Sequence, residues 1–466
     1  MRPVSAYPVE GTVHVIERPS ARCDANVHVV QLGNGIQVDS NLLNEYCFSA
    51  PTDLTHDLMA IIGGIRCADR SIGRRYSEGW GRRISLKVPV MDKALWSSKK
   101  VVGALTDCLE FLTGDEWRFD FTRRMSRPNQ IGQEGHVVTP PTLERVFMPY
   151  SHGLDSYAQL KLLQQKEPGV EVVCVFTDAA ANPKSWKQFC RRKSPGGVKP
   201  IPVPVTVAEP HHSEPTFRSR SFMYYMLTAY GAVLAKAGRV LIPENGQGSL
   251  GGSLVPLGSE AKHRSCHPGF TMRLTQLLRH LTGRTVQFEH PGLFQTKGQV
   301  MAALAALEPD SDRWLREHWS CSHDQRHSHH EGARVHCGVC GNCLLRRCSE
   351  LFAGIADVTQ YKFSNLHAST LEQSVLGSGE VPKEIKGFRD LAGNSARSME
   401  RMAQLAGQPD SSRIWSEAAA LTCYEGQTVK SMHAQLMGML QQHETEWRSF
   451  LTACGEHSWV TQLARG

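Results

Sequence analysis

Six consecutive residues have types and an order that suit the binding of a polyphosphate: Ser151, His152, Gly153, Leu154, Asp155 and Ser156. They follow an apolar run at 146–150 and precede an amphipathic run at 157–166, which predicts a strand, a turn and a helix. Backbone N–H groups in such a turn attract anions, and small residues leave room for close approach. Asp155 would repel phosphate unless it holds Mg2+, so the loop predicts a nucleotide with magnesium. A plain helix N-cap at Asp155 and Ser156 is the alternative.

Four charged residues lie at strand ends or helix starts, the positions where α/β folds bind ligands. Asp178 and Glu244 each follow a predicted strand, and ligands bind at the carboxyl ends of such strands. Arg220 lies at the start of a predicted helix, where a guanidinium can grip a phosphate or a carboxylate. Lys297 begins another helix and is placed to neutralise a leaving phosphate. For each residue, an ordinary cap, turn or solvated charge remains the alternative.

The strongest local signal is a group of four cysteines: Cys321, Cys337, Cys340 and Cys343. Three of them repeat at C-x-x-C spacing with glycines between, so their thiolates can converge on one Zn2+. An iron–sulfur cluster is the competing use of four thiolates, but no second redox motif accompanies them. His336, in the His-rich stretch before the repeat, is the residue best placed to replace a thiol. Four protein ligands predict a structural ion rather than a catalytic one.

The segments around these residues predict an α/β fold. Strands and helices alternate from 143 to about 300, which favours a parallel sheet, and turn and linker chemistry at 126–142 precedes it. Residues 1–125 are interpreted as an α+β domain in which Asn34-Gly35 closes a hairpin. Residues 366–466 are interpreted as a helical extension, with helices near 383–405, 411–422 and 428–451.

Composition excludes several classes of protein. The 466 residues carry a net charge of +7 that is spread along the chain, which does not indicate nucleic-acid binding. The N-terminus lacks the apolar run of a signal peptide, and no stretch is long and apolar enough to span a membrane. The 14 cysteines are mostly scattered, unlike a disulfide framework. We therefore expect a cytoplasmic protein.

The loop and the cysteine run, in this order, resemble the 7-cyano-7-deazaguanine synthase family (QueC) of PP-loop ATP pyrophosphatases. That family's loop is S-G-G-x-D-S, to which residues 151–156 correspond. Its zinc run is C-G-x-C-x-x-C, followed by a basic helix and D-x-T-x-Y. Here these are residues 337–343, then Arg346-Arg347, then residues 357–361. The resemblance covers about 143–365 and implies a HUP-like PP-loop domain with a zinc site.

The resemblance implies a reaction and its cofactors. Family members use ATP to adenylate 7-carboxy-7-deazaguanine and release pyrophosphate; ammonia then gives an amide, and a second activation gives the nitrile. Ser151, Gly153, Asp155 and Ser156 would hold the pyrophosphate and Mg2+. Such chemistry requires positioning and charge neutralisation more than a nucleophilic side chain.

The chain departs from the family in two ways. His152 replaces a glycine of the loop, which adds a side chain where phosphates pass. The chain is also longer than a biosynthetic synthase, and in this it resembles the QueC-like proteins of anti-phage systems, such as the Qat system and the type IV cyclic-oligonucleotide systems. That likeness implies an acceptor amine at the N-terminus of a partner protein.

Two other functions are compatible with the sequence. A tRNA or nucleobase thiolase of the same superfamily would require a sulfur-carrying cysteine near the loop, and Cys174 and Cys190 are not obviously placed for it. A non-catalytic, zinc-stabilised binding module would follow if His152 has ended the use of ATP.

An apolar stripe in the tail has two interpretations, a core or a partner contact: Met432, Leu436, Met437, Met439 and Leu440.

Overall fold

The computed structural model describes residues 9–18, 27–126, 144–151, 153–178, 198, 200–208, 213–256, 258, 260–322, 328–330, 332–377 and 381–466. The chain forms two compact units. The first comprises Met1–Ser151, Glu167–Ile242 and Gly258–His290, and the second comprises His152–Lys166, Pro243–Leu257 and Pro291–Gly466. No helix among the described residues is long and apolar enough to cross a bilayer.

The strands, in chain order, are β1 (Val9–Ile16), β2 (Val27–Gln31), β3 (Ile36–Val38), β4 (Arg82–Val90), β5 (Glu116–Arg123), β6 (Arg145–Tyr150), β7 (Glu171–Asp178), β8 (Ile201–Val207), β9 (Arg239–Leu241), β10 (Gln287–Glu289), β11 (His329–His330) and β12 (Ala333–Arg334). The helices up to residue 307 are α1 (Asn41–Tyr46), α2 (Asp53–Ser71), α3 (Lys93–Trp96), α4 (Lys99–Thr113), α5 (Leu154–Lys166), α6 (Arg220–Leu234), α7 (Gly246–Leu254), α8 (Pro268–Thr282) and α9 (Lys297–Leu307). The later helices are α10 (Ser311–Glu317), α11 (Gly341–Phe352), α12 (Ile385–Leu405), α13 (Ser412–Glu425), α14 (Val429–Cys454) and α15 (Trp459–Arg465).

The first unit contains two sheets. One has the order β2-β1-β4-β5 and is parallel throughout. The other has the order β10-β9-β6-β7-β8-β3, in which all pairs are parallel except β3 with β8. The parallel sheet expected after residue 143 is therefore confirmed. Its inner strands are almost wholly apolar, as expected of strands that are buried on both faces.

The N-terminal prediction is wrong in two respects. The sheet of residues 9–123 is parallel, so its strands and helices alternate as in an α/β domain rather than an α+β one. The Asn34-Gly35 hairpin is absent, because β2 pairs with β1 while β3 pairs with β8 of the other sheet. A tight turn reverses the chain locally, but the strands on either side find their apolar partners elsewhere.

The second unit is mainly helical. The helices expected in the tail are present as α12, α13 and α14. The stripe from Met432 to Leu440 is buried and packs with Leu250 and Leu254 of α7. The stripe is therefore core, and the partner-contact interpretation of it is wrong.

Candidate functional site

Three helices of the second unit begin around one carboxylate, that of Asp155. Asp155 is in the first turn of α5, and its Oδ2 accepts from Lys297 Nζ, the first residue of α9, over 2.5 Å. Its Oδ1 accepts from Nδ2 of Asn245, the N-cap of α7, over 2.9 Å. Helix N-termini carry partial positive charge and outward N–H groups. The convergence therefore forms a place for an anion or for a metal bound to one.

Asn245 joins a second carboxylate to the first. Its Nδ2 also donates to Glu244 Oε1 over 2.9 Å, and its own N–H donates to the same oxygen over 3.1 Å. Asn245 Oδ1 accepts from Gly248 N–H over 3.0 Å and caps the helix. A side chain at Gly248 would lie 2.4 Å from Glu244 Oε1, so glycine there makes room for the carboxylate.

The charges in this cluster oppose one another. Burial, followed by the negative charge of Asp155, raises the pKa of Glu244 to about 8, while Lys297 acts in the opposite direction. The Lys297 side chain is only 5% exposed and that of Asp155 is 25% exposed, so solvent screens this pair incompletely. Two adjacent carboxylates with a buried ammonium suit a divalent cation and a polyphosphate, since oxygen ligands are those that Mg2+ prefers.

The start of α9 is fixed by hydrogen bonds. Thr296 and Gln299 form a capping box, with bonds of 3.0 and 3.1 Å. The Lys297 N–H donates to Gln247 Oε1 over 2.7 Å. These bonds hold the lysine backbone, which limits where its ammonium can reach.

The structure places the other predicted residues of the loop as follows. Ser151 is exposed directly after β6, Gly153 precedes α5, and Ser156 is buried in its first turn. The Leu154 side chain lies in an apolar core with Trp314, which leaves its backbone as the group that can meet a phosphate. His152 lies outside the described residues, so its effect on the loop stays open.

Three predicted residues belong to the first unit, and Ser151 is the last residue of its first segment. Asp178 ends β7 of the first unit. Arg220 begins α6 there, and its Nε donates to the hydroxyl of Tyr224 on the same helix over 2.6 Å. Asp155, Ser156, Glu244 and Lys297 share the second unit. The roles of Asp178 and Arg220 stay predictions.

The four cysteines form a buried cluster. The Sγ atoms of Cys321, Cys337, Cys340 and Cys343 all lie within 4.8 Å of one another. The Cys337–Cys343 and Cys321–Cys340 sulfurs are 3.9 and 4.0 Å apart. A tetrahedral site with Zn–S bonds of about 2.3 Å has S–S edges of about 3.8 Å. The cluster therefore fits a zinc ion and, with four protein ligands, has no open position for chemistry.

Two neighbours define how the cysteine loop is built. Gly338 has φ of +88°, and a Cβ there would lie 2.4 Å from the Phe363 carbonyl oxygen, so the bend requires glycine. His336, considered above as a ligand, uses its Nε2 to accept from the Ser320 N–H over 3.2 Å, and its ring stacks on Trp319. His336 therefore supports the cysteine loop and is not one of the four clustered ligands.

The cysteine cluster and the loop before α5 are joined by direct contacts. Trp319, two residues before Cys321, forms a parallel bridge with Gly153, and its indole donates to the Cys321 carbonyl over 2.8 Å. The next residue back, His318, stacks on Tyr157 of α5 with ring centroids 4.2 Å apart. A metal that fixes Cys321 thereby fixes the segment against which the loop pairs.

Arg346 strengthens the same connection. It lies on α11 just after the cysteines, is fully buried, and donates to the carbonyls of His318 and Leu315 over 2.9 and 2.8 Å. Glu350 accepts from its Nε over 2.8 Å. Burial raises the pKa of Glu350 to about 8. Arg346, in the basic helix of the sequence motif, therefore connects α11 to the segment that precedes Cys321.

Sequence reasoning missed Asn245, Gln247 and Thr296 as members of the site. Asn245 directly follows Glu244, and a polar turn at a strand end followed by a helix was a signal that could have found it. Cys174 lies wholly buried in β7, where burial raises its pKa, which does not suit a sulfur carrier. Cys190 lies outside the described residues.

The chain is similar to proteins named 7-cyano-7-deazaguanine synthase. It is 33% identical to the one from Porphyromonas gingivalis strain W83 over 105 residues, which are 22% of this chain and 42% of that protein. It is 27% identical to the one from Ruegeria sp. strain TM1040 over 159 residues, 34% of this chain and 60% of that protein. For the one from Brucella canis the identity is 26% over 176 residues, 36% of this chain and 66% of that protein.

These matches are partial. The chain spans less than half of the length of the Porphyromonas relative and under two thirds of the other two. No family model matches the chain, and no solved structure matches it. The matched part of the chain is therefore similar to 7-cyano-7-deazaguanine synthases, and the similarity covers only part of each protein.

Proposed function

We propose that this chain uses ATP to adenylate the carboxylate of a 7-deazaguanine and transfers the activated acyl group to an amine. The observation that carries the proposal is the meeting of three helix N-termini at Asp155, with Lys297 and Asn245 bonded to it. The similarity to 7-cyano-7-deazaguanine synthases supports the choice of a deazaguanine.

Each group of the cluster has a role in this reaction. Asp155 and Glu244 would hold Mg2+ on the triphosphate, and Lys297 would neutralise the charge that develops on the leaving pyrophosphate. The backbone of residues 151–156 would meet the phosphates, with Ser151 and Ser156 as hydroxyl donors. The four cysteines would hold Zn2+, whose contribution is to stabilise the fold around the loop.

The chemistry consists of two displacements. A carboxylate oxygen of the substrate attacks the α-phosphorus of ATP, and pyrophosphate leaves. An amine then attacks the acyl carbon, loses a proton, and expels AMP with the former carboxylate oxygen. No side chain is required as a nucleophile, so the site contributes positioning and charge neutralisation.

The acceptor that we propose is the N-terminal amine of a partner protein, and the setting is bacterial defence against phage. The resemblance to QueC-like proteins of anti-phage systems supports this. The length of the chain supports it too: the chain has 466 residues, whereas the Porphyromonas relative, of which 105 residues are 42%, has about 250. With ammonia as acceptor, the chain would instead be a biosynthetic synthase. Mass spectrometry of proteins encoded beside this one, searching for an added deazaguanine, distinguishes the two acceptors.

Calorimetry tests the nucleotide site. With Mg2+ present, Asp155→Asn should weaken ATP binding by at least about tenfold, because a magnesium ligand is lost. Without Mg2+, the same variant should bind ATP as well as wild type or better, because a repelling charge is gone. Asp312→Asn, an exposed change on α10 of the same unit, is the matched control and should change neither value. No binding heat for wild-type protein with ATP and Mg2+ would refute the proposal and favour a binding module.

A further inference from the structure

Two buried polar residues of α14 are linked to the start of α9, Glu446 directly and His443 through Gln247. His443 is 0% exposed and Glu446 is 1% exposed, and their spacing of three residues places them on one face of the helix. Both lie more than 140 positions after Lys297 in the sequence. Burial of two ionisable groups in one helix is costly unless each makes specific contacts.

Glu446 holds the N-cap of α9. Its Oε1 accepts from the Thr296 hydroxyl and also from Gln442 Nε2, the latter over 3.0 Å. Its Oε2 has no hydrogen-bond partner among the residues that the structure describes, and a Cβ at Gly298 would lie only 2.7 Å from that oxygen. The carboxylate therefore sits against the first turn of α9, where the positive end of the helix dipole favours it.

His443 acts on Lys297, the residue that follows the N-cap, through the side chain of Gln247. Its Nε2–H donates to the Met399 carbonyl over 3.0 Å, so Nδ1 is left to accept from Gln247 Nε2 over 2.9 Å. The other end of the same amide, Gln247 Oε1, accepts the Lys297 N–H over 2.7 Å. Burial lowers the pKa of His443 to about 4, so the ring is neutral and able to accept this bond at neutral pH.

We propose that α14 completes the active site, with His443 and Glu446 as positioning residues that hold the Thr296–Gly298 turn so that Lys297 reaches Asp155. The inference rests on the proposed function for its catalytic consequence, although the contacts are independent of it. The C-terminal extension is then part of the catalytic unit rather than an appended domain. Neither residue touches substrate; each acts through Thr296 or Gln247 on the backbone of Lys297.

The test combines hydrogen exchange with steady-state kinetics. In Glu446→Ala and His443→Ala, amide exchange at residues 297–299 should rise about tenfold, because the first change removes the buried hydrogen bond from Thr296 and the second removes the one that holds Gln247 against the Lys297 N–H. The kcat for pyrophosphate release should fall by a similar factor with the KM for ATP within about twofold, because Lys297 acts on the leaving group. Glu446→Gln, which keeps an oxygen acceptor for Thr296, should restore most of both values.

Two exposed positions of the same helix supply matched controls, Gln441→Ala and Ser449→Ala, and both should leave exchange and kcat unchanged. The proposal is overturned if exchange at residues 297–299 does not change, or if it rises equally across all helices of the second unit, as general destabilisation would cause. Wild-type protein without ATP-dependent activity would refute the proposed function, while the exchange result would still decide whether α14 holds the turn.

Discussion

The pKa of Glu244 should respond in opposite directions to the loss of Asp155 and of Lys297. In the structure, burial and the negative charge of Asp155 raise this pKa from 4.5 to about 8, and Lys297 lowers it. Asp155→Asn keeps the bond from Asn245 but removes the charge, so the pKa should fall. Lys297→Met removes the opposing charge, so the pKa should rise further.

The size of the first effect follows from the geometry. Asn245 Nδ2 donates over 2.9 Å to one oxygen of each carboxylate. Those two oxygens are therefore at most twice 2.9 Å, or 5.8 Å, apart. At that distance and an effective dielectric constant of about 20, two negative charges repel by about 3 kcal/mol, which equals about two pKa units. Asp155→Asn should therefore bring the pKa of Glu244 to about 6.

The assay is an NMR titration of protein labelled with 13C at the glutamate carboxyl, in the absence of Mg2+ and nucleotide. Glu244→Gln assigns the signal, and Asp312→Asn serves as the control that should not move it. A wild-type Glu244 that titrates near 4.5, or one that does not respond to Asp155→Asn, would refute the described geometry of the cluster.

The raised pKa also has a consequence for stability. Because the folded state keeps the Glu244 proton to about pH 8 while the unfolded chain releases it near 4.5, the contribution of Glu244 to the free energy of unfolding decreases as pH rises through this window. Asp155→Asn should reduce that decrease, which urea titrations at several pH values would measure.

Three further predictions concern the metal cluster, the α9 turn and the buried histidine of α14. Cys340→Ser should reduce bound zinc and weaken ATP binding. Cys348→Ser, which changes a buried cysteine outside the cluster, should retain full zinc. Metal analysis of both variants tests this, and full zinc in Cys340→Ser would contradict the zinc site. Gly298→Ala should lower the free energy of unfolding by about 1–3 kcal/mol because its Cβ has no room, while Gly438→Ala, with open space around it, should raise it by about 0.5–1 kcal/mol. Equal effects in urea unfolding would argue against the crowding. His443, whose pKa burial lowers to about 4, is neutral in the folded state above that pH, so its own contribution to the free energy of unfolding should rise by about 3 kcal/mol between pH 4 and 6.5. The difference in that free energy between wild type and His443→Gln should therefore grow by this amount over the window, and a constant difference would be evidence against burial.

The sequence predicted those parts of the site whose chemistry is local. Three of the cysteines repeat within seven residues, so spacing alone indicates that their thiolates converge. Periodicity shows where strands end and helices start, and this is enough to indicate Glu244 and Lys297. Asp155 is recognisable because a carboxylate is unexpected in an anion-binding turn.

The remaining parts depend on contacts between distant segments, which local patterns do not encode. The bond from Asn245 to Asp155 joins residues 90 positions apart, and that from Thr296 to Glu446 joins residues 150 apart. The wrong hairpin prediction at Asn34-Gly35 has the same cause, because a turn signal does not indicate which strands the two flanking strands pair with. The stripe that begins at Met432 showed that a helix was amphipathic, but not what it would pack against.

The most direct test of adenylation follows an oxygen atom. The protein, ATP, Mg2+ and an amine are incubated with 7-carboxy-7-deazaguanine whose carboxylate carries 18O, and the AMP is examined by mass spectrometry. The proposed function predicts one 18O in each AMP formed, with the signal lost in Asp155→Asn. AMP without the label, or cleavage of ATP that does not depend on the carboxylate, would contradict it.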